Sequence, residues 1–119
     1  MTFIFVYGTL KRGCANHGFL AGQRFIGEAR TTGGFTLFEL SGYPGMVERD
    51  SHPAGVTGEV WSVDGDCLKR LDELEGTAEG LYRRDVVPLL APFGEQRVEA
   101  YFFLQEVVGR VEIGGTWTE

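Results

Sequence analysis

The chain has 119 residues and a formal net charge of -6, with 17 acidic and 11 basic residues. This length fits one domain, residues 1–119, and an apolar fraction of 43% is enough for one core. A net acidic surface argues against duplex nucleic acid and anionic membranes as partners. No apolar run approaches the roughly 20 residues that a membrane span needs.

Short apolar runs alternate with turn signals along the chain, and 18 glycines indicate many tight turns. The strands are predicted at Phe3–Tyr7, Phe25–Ala29, Phe35–Leu40, Met46–Glu48, Val56–Val63, Leu81–Leu89 and Arg97–Leu104. Asn16 is predicted to cap a short helical turn through Leu20, whereas Ser51 to Gly55 and the tail Gly114 to Trp117 are predicted to be irregular. Many strands with one or two flanking helices predict an α+β fold, with the mixed sheet curled or closed into a small barrel.

The start of the chain bears on the cellular compartment of the protein, and its cysteines and histidines bear on the presence of a metal site. The apolar run Phe3–Tyr7 has no basic residue ahead of it and no cleavage-site pattern behind it, which favours a strand over a signal peptide. Cys14 and Cys67 lie far apart, and His17 and His52 belong to no ligand pattern. We therefore expect a cytoplasmic protein without a metal site.

The clearest helix is predicted over Cys67–Glu75, opened by Asp64-Gly65-Asp66 and ended by Gly76. At about 100° per residue, one apolar stripe contains Cys67, Leu68, Leu71 and Leu74. Asp72 and Glu73 lean toward solvent, while Glu75 falls inside the stripe. A carboxyl group at the edge of a core has a raised pKa, which suits general acid–base catalysis near neutral pH. A shift of the helix end by one residue would instead turn Glu75 to solvent.

The loop after the first strand, Tyr7 to Gly13, is the second candidate site. Gly8 and Gly13 have the spacing of a phosphate-binding loop, but Cys14 and Ala15 stand where lysine and serine or threonine are required. The sequence therefore argues against a nucleotide-hydrolysing site. Backbone N–H groups beside Gly8 can still bind a carboxylate, and a plain strand-to-turn connection is the alternative.

Five motifs in this order and spacing resemble the γ-glutamylcyclotransferase family, also called AIG2-like. They are "VYGTLKRG" (6–13), "YPGMV" (43–47), "GVTGEVWSVD" (55–64), "LDELEGTAEGLYRR" (71–84) and "IGGTW" (113–117). The resemblance covers most of the chain. It implies a small barrel of mixed strands with flanking helices, in agreement with the pattern of predicted elements.

The resemblance also implies a reaction and its residues. Family enzymes are lyases in which the α-amine of a γ-glutamyl amide attacks the γ-carbonyl, releasing 5-oxoproline and an amine or amino acid without a cofactor. Glu75 matches the catalytic glutamate, and Tyr7, Gly8, Thr9 and Leu10 match the substrate-binding loop. Tyr82 corresponds to a tyrosine near the site, where its hydroxyl binds the glutamate or the substrate, or simply belongs to a core aromatic.

A non-catalytic module of the same fold that binds a small carboxylate is the alternative to the enzyme. The expected partner in either case is a small molecule rather than nucleic acid or a membrane. The leaving group of the γ-glutamyl substrate and the oligomeric state stay open at this point.

Overall fold

The computed structural model describes residues 1–49 and 53–119. Within them the chain forms eight strands, one α-helix and one short 3-10 helix at His17–Leu20. The strands are β1 Thr2–Val6, β2 Arg24–Arg30, β3 Phe35–Glu39, β4 Pro44–Glu48, β5 Thr57–Val63, β6 Tyr82–Val86, β7 Val98–Phe103 and β8 Val111–Gly114. The α-helix α1 spans Gly65–Glu75.

The eight strands form one mixed sheet in the order β2-β5-β1-β7-β4-β3-β8, with β6 paired to β7. β6 follows one edge of β7 antiparallel, while β1 and β4 pair with β7 in parallel at its two ends. This architecture confirms the predicted α+β class. Closure into a barrel is not found, because no ladder within residues 1–49 and 53–119 joins the terminal strands β2 and β8.

The alternation of side chains along β1 divides the core between the two faces of the sheet. Phe5 packs in one buried cluster with Leu37, Met46 and Phe102. Ile4 and Val6 lie on the other face, in a cluster that includes Leu71 of α1. All of these side chains are almost completely buried, so β1 anchors the sheet and its C-terminal end is held in place from both sides.

Both ends of α1 are capped, and the helix begins at Gly65, two residues before the predicted start at Cys67. The Asp64 carboxylate accepts the backbone N–H of Cys67 at 2.8 Å, and Gly76 ends the helix with a left-handed φ of 67°. Cys67 and Leu71 are fully buried as expected. Leu74 differs, because the last turn of α1 meets a cavity instead of the core and leaves this side chain 37% exposed.

Three details of the predicted secondary structure need correction or lie outside the structure. No strand is predicted at Val111–Gly114, yet these residues form β8 against β3, and Gly114 of the tail predicted to be irregular belongs to this strand. Asn16 precedes the 3-10 helix, but its side chain makes no capping bond there. Asp50, Ser51 and His52 lie outside the described residues, including the start of the loop predicted at 51–55.

In the described part of the chain, no helix has the length and apolar character required to cross a membrane.

Candidate active site

A cavity of about 390 Å³ lies where the C-terminal end of β1 meets the last turn of α1. Its walls come from the loop after β1, the turn before β4, the end of α1, and the strands β6 and β7. The six residues selected from the sequence all line it: Tyr7, Gly8, Thr9, Leu10, Glu75 and Tyr82. The fold thus brings together two segments that are more than 60 residues apart in the sequence.

Glu75 provides the only carboxylate among the described residues that line the cavity, and no basic side chain lines it. Burial raises the pKa of Glu75 from its ordinary value to about 7. Burial is the only cause of this shift, and no hydrogen bond or ion pair of the Glu75 carboxyl group is found within the described residues. Both the protonated and the ionised form of Glu75 are therefore populated near neutral pH.

Gly8 is required by the close approach of the loop to Pro44, the first residue of β4. A Cβ at this position would lie 2.6 Å from Cγ and 2.9 Å from Cδ of Pro44, well inside van der Waals contact. The rigid proline ring has little room to move, so a larger residue would displace the loop. The need for glycine at position 8 thus has a specific steric cause.

Asn16 fixes the conformation of the loop through Thr9. The backbone N–H of Asn16 donates to the carbonyl of Thr9 at 2.8 Å, and its Nδ2 donates to Thr9 Oγ1 at 3.0 Å. No bond from the backbone N–H groups of Gly8, Thr9 and Leu10 to another described residue is found. These donors are available to a ligand, as the anion-binding prediction requires.

The hydroxyl groups of Tyr7 and Tyr82 form hydrogen bonds with the protein backbone. Tyr7 donates to the carbonyl of Tyr101 at 2.6 Å and accepts the N–H of Met46 at 3.2 Å. Tyr82 donates to the carbonyl of Pro44 at 2.9 Å, so its proton is directed to the backbone rather than to Glu75. Burial raises the pKa of both phenols, and both therefore stay protonated.

Asp72 differs from its prediction as a solvent-facing residue. Its two carboxylate oxygens accept Nε and Nη2 of Arg84 at 2.9 and 3.2 Å, and Oδ1 also accepts the hydroxyl of Tyr101 at 2.7 Å. The helical wheel missed these contacts because β6 and β7, and not the helix itself, carry the two partners.

Tyr101 lines the cavity and was not selected from the sequence. Its position depends on the register of β6 against β7, which pairs Tyr82 with Phe103 and Arg84 with Tyr101. The alternation of side chains within β7 places Tyr101 and Phe103 on one face. This alternation is the one feature of the sequence that could have pointed to Tyr101 as a site residue. Tyr43 and Pro44, which belong to the motif at 43–47 but were not assigned to the site, also line the cavity.

The basic residues of the loop after β1 and of β6 do not line the cavity. Lys11 donates to the carbonyl of Trp117, and Arg12 binds Glu59. Arg83 is half-exposed beside Glu48 and Asp85. Each of these charges has a structural partner.

Cys14 and Cys67 are free thiols, and no group of three or more potential metal ligands is found among the described residues. The cavity instead combines a carboxyl group of pKa about 7 with unpaired backbone donors and mostly apolar walls. Such a site can bind a small carboxylate and exchange a proton with it.

The chain belongs to the γ-glutamyl cyclotransferase, AIG2-like family, because the sequence model of this family matches residues 4–119. It is 40% identical over 98 residues to a Vibrio cholerae protein named "Putative gamma-glutamylcyclotransferase", covering 82% of this chain and 80% of that protein. It is 35% identical over 91 residues to the gamma-glutamylaminecyclotransferase of Rattus norvegicus, covering 71% of this chain and 60% of the relative.

A solved structure shares the fold as well. The crystal structure of an AIG2-like protein from Mus musculus superposes with a TM-score of 0.73 and 30% sequence identity, covering 86% of this chain and 76% of the mouse chain. The family assignment and the α+β fold therefore rest on agreement of both sequence and structure.

Proposed function

We propose that the protein is a lyase that cleaves a γ-glutamyl amide, with Glu75 as general acid–base and the loop Tyr7 to Leu10 as the substrate-binding element. The observation that carries this proposal is the placement of Glu75, with its pKa of about 7, in the cavity that the loop borders. Membership of the family supplies the chemistry of the substrate.

In the proposed reaction, the α-amine nitrogen of the substrate attacks its own γ-carbonyl carbon, and the bond from that carbon to the leaving nitrogen breaks. Of the three protons on the starting α-ammonium group, one stays on the lactam nitrogen and two end on the leaving amine. Glu75 carries protons between the two nitrogens. A pKa near neutrality suits both halves of this transfer, because the group must accept a proton and return it.

The loop supports the reaction by orientation and by stabilising charge. The free N–H groups of Gly8, Thr9 and Leu10 are available to the α-carboxylate of the substrate and to the oxyanion that develops on the γ-carbonyl. Fixing the carboxylate folds the substrate so that its amine approaches the carbonyl, which lowers the entropic barrier to ring closure. The apolar walls limit water around the reacting groups.

Replacing Glu75 with glutamine tests the acid–base role. The amide has nearly the same shape but does not exchange protons near neutral pH, so we expect 5-oxoproline release to fall by about 100-fold or more. The assay uses a panel of γ-glutamyl amides whose leaving groups are amino acids, the lysine ε-amine and other amines. Equal turnover by wild type and Glu75→Gln would contradict the role of Glu75.

The same panel separates the enzyme from a carboxylate-binding module. Release of 5-oxoproline by the wild type from at least one substrate supports the lyase. Saturable binding of these compounds by the wild type, without product from any of them, would instead identify a non-catalytic module.

Substituting Gly8 with alanine tests the substrate-binding loop. Because the added Cβ would meet Pro44, we expect the loop to move and kcat/KM to fall by about 100-fold. Gly18→Ala is the matched control, since its Cβ would meet nothing within 4 Å and its φ is not positive. Unchanged kinetics in Gly8→Ala, with the protein folded, would exclude the loop from the site.

A further inference from the structure

Four tyrosines line the cavity beside Glu75, and three of them, on β6, β7 and the end of β1, direct their hydroxyl protons elsewhere. Tyr7 donates to a carbonyl of β7, Tyr82 donates to the carbonyl of Pro44, and Tyr101 donates to Asp72. The carboxyl group of Glu75 thus stands among phenols without receiving a hydrogen bond from any of them.

Of the three acceptors, only the one that holds Tyr101 is a side chain. Asp72 lies three residues before Glu75 on α1, so both carboxylates point to the same side of the helix. Tyr101 lines the same cavity as Glu75. The Tyr101 hydroxyl is bonded to Asp72, and the charge of Glu75, one helical turn further along α1, also acts on this phenol.

A chain of ion pairs holds Asp72 as the acceptor. Arg84 binds both oxygens of Asp72 and also donates to Glu99, which accepts Arg97 at 3.1 Å on its other oxygen. A bidentate guanidinium fixes the plane of a carboxylate as well as its charge. Asp72 consequently presents Oδ1 to Tyr101 in one orientation.

We propose that Asp72 is a positioning residue, which draws the hydroxyl of Tyr101 away from Glu75 and leaves the Glu75 carboxyl free to exchange a proton with the substrate. This inference rests on the proposed function only for its catalytic consequence. The geometric claim concerns the choice of the Tyr101 hydroxyl between the two carboxylates and holds with or without a substrate.

Five titratable groups surround Glu75, and burial is the cause of its raised pKa. Tyr7 of the β1 end, Tyr82 of β6, Tyr101 of β7 and Tyr43 of the turn before β4 line the same cavity, and Asp72 shares the helix. Burial is the largest cause of the raised pKa of the Tyr101 phenol, followed by its bond to Asp72, and the Glu75 charge adds to both. A hydroxyl that donated to Glu75 instead would favour its ionised form and lower its pKa.

The test measures the pKa of Glu75 directly, by NMR titration of the carboxyl carbon of ¹³C-labelled glutamate with Glu75→Gln as the assignment control. Asp72→Ala removes the acceptor, whereas Asp72→Asn keeps an acceptor oxygen and removes the charge. We expect Asp72→Ala to lower the pKa of Glu75 by about one unit more than Asp72→Asn does. Asp72→Leu is the second variant that lacks the acceptor, for use if Asp72→Ala does not fold.

Tyr101→Phe completes a double-mutant cycle with the Asp72 variants, because it removes the hydroxyl on which Asp72 acts. In the Tyr101→Phe background, the difference between Asp72→Ala and Asp72→Asn is expected to disappear. Equal pKa values of Glu75 in Asp72→Ala and Asp72→Asn with Tyr101 present would overturn the proposal. A difference that persists without the hydroxyl would overturn it as well, because the effect would then be one of packing.

The catalytic consequence is read separately from the pH profile of kcat/KM. The acidic limb is expected to move to lower pH in Asp72→Ala by the same amount as the NMR titration, and to return in the double variant with Tyr101→Phe. If no γ-glutamyl amide is turned over, the proposed function fails while the NMR titration still decides the positioning role.

Discussion

Glu59 and Glu75 are two largely buried glutamates with opposite surroundings. Glu59 accepts three donors: the backbone N–H of Arg12 at 3.1 Å, Arg12 Nε at 3.0 Å and Trp61 Nε1 at 3.1 Å. Burial acts to raise the pKa of Glu59, but the bonds from Trp61 and Arg12 outweigh it and hold the pKa below its ordinary value. Among the described residues Glu75 has no such donors, and burial raises its pKa to about 7.

The comparison shows that burial alone does not decide how a carboxyl group behaves. Donors directed at the ionised form make Glu59 a structural anion that connects the loop after β1 to strand β5. The lack of donors leaves Glu75 in an environment that opposes its charge, which stabilises the protein less but keeps the proton exchangeable. The same substitution at the two positions should therefore have effects of opposite sign.

The largest expected effect is on the pH dependence of stability in Glu75→Gln. The folded-state pKa of about 7 lies above the unfolded value, so the native state holds a proton that the unfolded chain releases as the pH rises. Wild type should lose about 3 kcal/mol relative to Glu75→Gln between pH ~4 and pH ~8. Urea unfolding of both proteins across this range measures the difference, and a difference that is independent of pH would contradict the raised pKa.

Glu59→Gln is the matched substitution and should destabilise the protein by about 2 kcal/mol at neutral pH, because the amide nitrogen would face donors. The folded-state pKa of Glu59 is lowered, so its stabilising contribution is present above the unfolded value and is lost as the pH falls through the folded value. The cost of the substitution should therefore shrink in acid. Urea unfolding near pH 7 and near pH 3 tests this, and a cost that grows in acid would show the assignment of donors to be wrong.

Arg12→Met should have the smallest effect, a loss of about 1 kcal/mol or less. The guanidinium is half-exposed and lies over the ring of Phe25 at 3.9 Å, and methionine keeps part of that apolar contact. The donors from the Arg12 backbone and from Trp61 stay in place, so the pKa of Glu59 should rise only part of the way. Urea unfolding at low and at high salt measures how much of this loss comes from the ion pair between Arg12 and Glu59. High salt should lower the stability of the wild type by screening this pair and should not have this effect in the variant.

The elements that were predicted well are those with local signals. The alternation in β5, the aromatic run of β1 and the caps of α1 were readable because each depends on neighbouring residues. The inward position of Glu75 followed from the same helix periodicity. The contacts of Asp72 could not be predicted in this way, because they depend on the register of β6 against β7. No short stretch of sequence determines that register.

β8 escaped prediction for a related reason. Its four residues are half-buried or exposed, and the alternation of Val111, Glu112 and Ile113 is short and runs into Gly114 and Gly115, so the segment resembles a turn. The strand forms because β3 offers a free edge, which is a tertiary cause.

The two caps of α1, Asp64 and Gly76, fix the number of helical residues between them. Each residue added to an α-helix turns everything beyond it by about 100° and advances it by about 1.5 Å. One extra residue between the caps would leave a stable helix and yet rotate the carboxyl group at position 75 away from the loop beside Gly8. In this fold the number of residues in the helix is therefore as much a part of the site as the glutamate itself.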